Sequence, residues 1–473
     1  MNKPSSNTAA DGLLRFWGGS FGAVLPFAFF LFGVITLGLS GAPVETGFWP
    51  VLLAALMLGL LLARDRHAYS EAILAGMSRP LVMVMVMAWL LAGVLGTLLA
   101  ESGLVQSLVW LGHATDVSGG GYVAAAFLIT ALVSTATGTS LGTILVCSPL
   151  LYPGGAGMGA DPAMLMGAII GGATFGDNVS PVSDTTIASA NTQGADMGGV
   201  VRSRMRYALP AAAISLLVFG VFGGGTLDPV GLADGGEAGP GGLVMLAVPA
   251  LVIVLLLRRR HLIEGLMMGI LAAVVVGLAT GQFSWNELFF VDRAQYSASG
   301  LILEGMQRGV GVSIFTVLLM GLVAGLEGAG VVERMVGAAT RGATTPAQAE
   351  WRIFATVSAA VILTTHAAVA ILSVGELTRD AGRKFGLSAY RRANLLDVTV
   401  CTYPFLFPFF IPTILASSTT AGLEAFGVPR LSAWAVGLHN VHSWALLLVL
   451  LLAVATGWGR GEQGPDGEGG GER

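Results

Sequence analysis

The sequence predicts an all-α polytopic membrane protein built from two inverted-topology repeats, with broken helices, re-entrant hairpins and about 10 to 13 membrane elements. Composition is the first reason. The chain of 473 residues is 54% hydrophobic and only 11% charged, where soluble domains carry about 25% charged residues; its mean hydropathy is +0.77. The second reason is length of apolar run. Windows 21–42, 81–100, 121–160, 207–227 and 398–423 contain no charge, and about 20 such residues cross a bilayer at 1.5 Å each. The third is recurrence. Leu91-Ala92-Gly93-Val94-Leu95-Gly96 leads to Glu101-Ser102-Gly103, and about 227 residues later Leu319-Met320-Gly321-Leu322-Val323-Ala324 leads to Glu327-Gly328-Ala329. The 68 glycines suit closely packed membrane helices.

Each segment then takes its place from charge. Arginines and lysine gather at Arg64/Arg66/Arg79, Arg202/Arg204/Arg206, Arg258/Arg259/Arg260 and Arg379/Arg383/Lys384/Arg391/Arg392, loops that the positive-inside rule makes cytoplasmic. The glycine-rich link 229–241 carries only Asp234 and Glu237 and faces out. This gives a cytoplasmic segment 1–14, a first repeat 15–228, the external linker 229–241, a second repeat 242–456 and a polar, disordered cytoplasmic tail 457–473. Segment 243–257 starts outside and ends at Arg258, opposite in direction to the first helix of the first repeat. Both termini are cytoplasmic, in a bacterial-type inner membrane. The first apolar run is read as a retained helix, since it lacks a convincing cleavage site. Two cysteines, Cys147 and Cys401, lie in apolar runs and make neither a disulfide framework nor a thiolate metal site. A net charge of −4 with no basic domain argues against nucleic acid as a partner.

Four polar elements interrupt the helices. The densest is Gly176-Asp177-Asn178-Val179-Ser180-Pro181-Val182-Ser183-Asp184-Thr185-Thr186, where two carboxylates, four hydroxyls and a proline follow the charge-free stretch 162–175. Ionisable groups and broken backbone bonds are costly in hydrocarbon unless they line a wet cavity, so the segment reads as the wall of an ion or substrate site. Asp177 and Asp184 would share a helix face at seven-residue spacing, and a break at Pro181 would bring them into one loop. A solvated loop at a membrane end is the plainer alternative. Upstream, 134–143 holds six hydroxyls and two glycines; Thr137 and Thr139 offer hard oxygen ligands there, or merely pack a helix face. Thr364-Thr365-His366 places an imidazole in an apolar run, either as a proton relay or as a helix-packing residue. Finally, Asp397-Val398-Thr399-Val400-Cys401-Thr402 precedes Pro404, Pro408 and Pro412, whose spacing rules out a regular helix. Asp397 would otherwise form a surface ion pair beside Arg391 and Arg392.

These elements point to a secondary transporter with a midplane site. Its cation ligands would be Asp177, Asp184, Thr137, Thr139, Ser180 and Ser183, with Asn178, Thr185, His366, Asp397, Thr399 and Thr402 as substrate or coupling residues. No P-loop or haem pattern suggests ATP or redox drive, and no cofactor is expected. An intramembrane aspartyl protease using Asp177 and Asp184 is the remote alternative. Such a protease would hold its two aspartates on separate apolar helices.

The polar segment resembles the hallmark of the NhaC family of sodium/proton antiporters, within the ion-transporter superfamily, which reads Gly-Asp-Lys-x-Ser-Pro-Leu-Ser-Asp-Thr-Thr. Gly176, Asp177, Ser180, Pro181, Ser183, Asp184, Thr185 and Thr186 match in register. The family's Thr-Gly-Thr-Ser-Trp-Gly-Thr is similar to Thr137–Thr143 with Leu141 for tryptophan, and the resemblance covers about residues 15–455. It implies exchange of sodium for protons by alternating access, with the bilayer as environment and a homodimer as one compatible assembly. Three departures stand out: Asn178 replaces a lysine, His366 falls where the family has an aspartate, and a Glu-Asp pair is reduced to Leu396-Asp397. The family is also similar to sodium- or proton-coupled exchangers of organic anions and amino acids, which is the alternative reading.

Overall fold

The computed structural model describes residues 13–40, 45–115, 119–225, 239–293, 296–332, 334, 343–424 and 428–460. Most of the external linker and nearly all of the tail lie outside them, as does the segment before Leu13. Seven described helices are long and apolar enough to cross a membrane, and an eighth results if the bent pair Ala433–His439 and Val441–Thr456 counts as one span. The chain is a polytopic, all-helical membrane protein; a short hairpin of Phe290–Asp292 with Ser297–Ser299 is the one sheet among the described residues.

In chain order the helices are α1 Ser20–Leu39, α2 Trp49–Leu62, α3 Arg66–Met77, α4 Pro80–Glu101, α5 Leu104–Thr115, α6 Gly119–Thr137, α7 Ser140–Gly157, α8 Pro162–Val179, α9 Asp184–Gln193 and α10 Met197–Phe222. The second half follows with α11 Ala247–Leu257, α12 Leu262–Thr280, the single turn α13 Trp285–Leu288, α14 Leu301–Gly328, α15 Pro346–Thr364, α16 Ala367–Lys384, α17 Ala389–Val400, α18 Ile411–Ser418, α19 Ala433–His439 and α20 Val441–Thr456. Lipid-facing positions are large and apolar, such as Phe21 and Phe32 on α1, Leu217 and Phe222 on α10, and Leu271 and Val275 on α12.

Helices α4 and α14 cross at backbone contact. A Cβ on Gly93 would lie 2.2 Å from the Gly305 carbonyl oxygen, and one on Gly309 would lie 2.7 Å from that of Trp89. Small residues permit this approach, which hydrocarbon cannot drive by itself. Around that crossing two pairs of broken helices are set. The α6–α7 hairpin opens beside the C-terminal end of α10, where Asp161 N–H donates to Gly223 O at 2.8 Å. The α15–α16 hairpin opens toward the other end of α10, where Tyr390, in the first turn of α17, donates to the Asp196 carboxylate that caps α10. The two hairpins therefore enter from opposite ends of the same helix.

Element starts recur at a fixed interval. Helices α6, α7, α8 and α9 begin at 119, 140, 162 and 184, and α15, α16, α17 and α18 begin at 346, 367, 389 and 411, a constant offset of 227. Both hairpin tips turn through a left-handed residue at that offset, Gly138 at φ 69° and Thr365 at φ 53°. For threonine this conformation is strained, of the kind that concentrates at functional sites.

Two expectations need correction. The positive-inside rule puts Arg204, Arg391 and Arg392 in cytoplasmic loops, yet all three are fully buried. Each is compensated inside. Arg391 Nε donates to Glu350 Oε1 at 2.7 Å and Arg392 Nε to Gln193 Oε1 at 3.1 Å, while Arg204 pairs with Asp397 at 2.5 Å. Asp397 is consequently no surface partner of Arg391 and Arg392.

The Asp196 cap gives a pH prediction. Asp196 accepts from the Tyr390 hydroxyl and from Gly199 N–H at 2.7 Å, and these bonds, the tyrosine's first, hold its carboxyl below the ordinary carboxylate range. A depressed folded value contributes stability that is present above the unfolded value and lost as pH falls through the folded one. The unfolding temperature of wild type should exceed that of Tyr390→Phe at neutral pH, and the gap should close on acidification below the usual carboxylate range. A gap independent of pH would contradict the assignment.

Candidate functional site in the central cavity

The sequence forces four helix breaks into one place. Helix α8 is capped by Asp161, whose carboxylate accepts from Met164 N–H at 2.8 Å, and begins with Pro162. It ends because Pro181 has no N–H to continue it and pushes Ser180 to an extended conformation, φ −76° and ψ 127°. Asp184 then opens α9, where a carboxylate suits the positive end of the helix. The hairpin tips break at Gly138-Thr139 and Thr365-His366, and α17 stops before the proline-rich 401–410, with α18 resuming at Ile411-Pro412.

All four breaks line one cavity of about 310 Å³. On one side stand Thr139, Ser140, Asp177, Asp184 and Thr185; on the other stand Thr365, His366, Cys401 and Pro404. Asp177 is buried, with Oδ2 accepting from Ser140 at 2.8 Å and no donor to Oδ1 among the described residues. A buried anionic oxygen without a partner is an expensive arrangement that a proton or a cation relieves. Asp184 on the same wall is exposed. Across the cavity His366 Nδ1 and Thr365 Oγ1 are likewise without hydrogen-bond partners among the described residues.

The structure thus brings together Asp177, Asp184, Thr139, Thr185 and His366 from the residues expected on sequence. The others stand off the cavity wall. Thr137 donates back to Val133 O at 2.9 Å, Thr399 to Leu395 O at 2.6 Å and Thr402 to Val398 O. The Ser180 hydroxyl accepts from Val182 N–H at 3.3 Å, and Ser183 lies 3.0 Å from the Thr185 hydroxyl. Asn178 is fully buried and its amide has no partner among the described residues.

Asp397 lies behind the wall. Besides the guanidinium of Arg204 it accepts from Ser189 at 3.1 Å, Thr186 at 3.3 Å and the Cys401 thiol at 3.1 Å. Arg204 in turn donates to Asn178 O at 2.5 Å, Thr186 Oγ1 at 2.8 Å and Asn394 Oδ1 at 3.2 Å, so the pair is closed by hydrogen bonds on every side. Sequence reasoning missed Arg204 and Ser140. The signal for Arg204 was periodic: with Val200, Tyr207, Ala208 and Ala211 it occupies the buried stripe of α10. Ser140 was one hydroxyl among six, and only the turn at Gly138 selects it.

A bundle of apolar helices around a polar cavity lined by broken segments is the construction of a membrane transporter. Residues 20–224, fewer than half of the chain, match the Na+/H+ antiporter family. Among similar proteins, the malate-2H(+)/Na(+)-lactate antiporter of Bacillus subtilis is 27% identical over 245 residues, 49% of this chain and 52% of that protein. The Na(+)/H(+) antiporter NhaC of Alkalihalophilus pseudofirmus is 25% identical over 276 residues, 55% and 57% of the two chains. The arginine/ornithine antiporter ArcD of Halobacterium salinarum is 26% identical over 382 residues, 76% and 74%. The chain spans about half the length of the first two of these relatives. The matched family is one of transporters, which gives the aspartyl protease reading no support.

Proposed function

We propose that the protein is a secondary active sodium/proton antiporter, in which Asp177 and Asp184 hold either the cation or protons as the cavity opens alternately to the two sides. The observation that carries this is Asp177, a wall residue of a cavity made where helices are broken, whose buried Oδ1 has no hydrogen-bond partner among the described residues. Sodium is a hard ion that takes oxygen ligands, and Thr139, Ser140 and Thr185 stand on the same wall. When the ion leaves, a proton removes the cost of the bare carboxylate, so competition for one group couples the two fluxes. Opposed hairpins and the 227-residue interval support two inverted repeats, about 15–228 and 242–456. Cytoplasmic arginine clusters support a bacterial inner-membrane location with both termini inside.

A second reading has its own support. The N-termini of α7, α9, α16 and α18 all reach the cavity, at Ser140, Asp184, Ala367 and Ile411. Each carries about half a positive charge, a setting that with His366 suits a carboxylate, and two of the similar proteins are named for organic acid or amino acid exchange. Proteoliposomes under a sodium gradient separate the readings. Proton flux without added solute supports plain antiport, and flux that appears only with a carboxylate or amino acid supports coupled solute exchange.

A further inference from the structure

The cavity is asymmetric in a way that its own 227-residue interval makes measurable. Wall residues pair at that offset: Ser140 with Ala367, Asp177 with Pro404, Asp184 with Ile411 and Thr185 with Pro412, and all eight line the cavity. Every position that offers a side-chain oxygen in the first half is filled in the second by a residue that offers none. Thr139 pairs with His366, replacing a hard oxygen by a nitrogen that sodium binds poorly. Asp397, behind the wall, is occupied by the buried Arg204 guanidinium at 2.5 Å, and no aspartate or glutamate of the second half lines the cavity.

We propose that the protein carries a single cation site, built by the first half alone around Asp177 and Ser140, and that the matching half-site of the second half has lost its ligands. This rests on the antiport reading and adds an ion count to it. A second sodium at the facing position would meet Ala367, Pro404, Ile411 and Pro412, with the Thr365 hydroxyl as its one side-chain oxygen, leaving it several ligands short and desolvated. The second half then contributes shape, the Thr365 hydroxyl and the imidazole of His366.

The test is equilibrium binding of radioactive sodium to the purified full-length protein, with Asp177→Asn, Asp184→Asn and Ser140→Ala beside it. Wild type is expected to saturate at one sodium per chain with a Hill coefficient near one, and Asp177→Asn to lose that ion. Two ions per chain would overturn the single-site proposal while leaving antiport standing. So would one ion whose affinity is unchanged in all three variants. Absence of sodium binding to wild type would overturn both. Should Asp177→Asn not fold, the wild-type stoichiometry and the Ser140→Ala affinity, expected to be weakened about tenfold, still decide.

Discussion

Asp177→Asn is expected to abolish sodium-dependent proton movement while leaving the protein folded. The substitution keeps the shape and the bond from Ser140 but removes the charge that binds a cation and the proton that exchanges with it. A contact to a charged group is worth about 1.5–3 kcal/mol net, which sets a scale of roughly 10- to 100-fold in sodium affinity. The loss of exchange should exceed this, because an asparagine cannot release a proton. Ser140→Ala should cost less, since it removes one donor and leaves the carboxylate in place. Uptake assays with both variants check the order, and equal activity of Asp177→Asn and wild type would contradict it.

The largest effect on stability is expected at Arg204. Arg204→Gln leaves Asp397 charged and fully buried, and breaking one member of a buried pair costs about 3–5 kcal/mol. The double substitution Arg204→Gln with Asp397→Asn should recover much of that loss, because a neutral amide pair keeps hydrogen-bonding capacity toward Ser189 and Asn394 without an uncompensated charge. Thermal unfolding in detergent reads both. A double variant no more stable than the single one would mean that Arg204 is held by its neighbours rather than by Asp397. Because Asp397 lies behind the cavity wall, this is a prediction about folding, separate from transport.

Apolar segments, breaks and the polar motif were legible in the sequence because each depends on local chemistry. A run without charge, a proline without an N–H and a glycine that turns left act within a few residues of themselves. Depth and pairing were not legible. By residue type alone Asp177 has its counterpart in Asp397, 220 residues on. The interval of the elements is 227, which sets Pro404 opposite Asp177 and leaves Asp397 two helical turns earlier, turned toward α10. Likewise the positive-inside rule counts arginines without asking whether each has a partner, so Arg204, Arg391 and Arg392 were placed in loops. Their partners, Asp397, Glu350 and Gln193, lie 193, 41 and 199 residues away in sequence, a separation that no local pattern encodes. Hydroxyls were over-read for a related reason, as Thr137, Thr399 and Thr402 spend theirs on their own helix backbones.

On the proposed mechanism Asp177 exchanges sodium for protons in this cavity. Its most direct test is a sodium jump on proteoliposomes that enclose a pH dye, with wild type and Asp177→Asn reconstituted in parallel. External sodium should acidify the medium and alkalinise the lumen of wild-type vesicles without any added solute, and should do neither with Asp177→Asn. Equal pH changes in the two preparations, or none in either at any sodium concentration, would contradict the account.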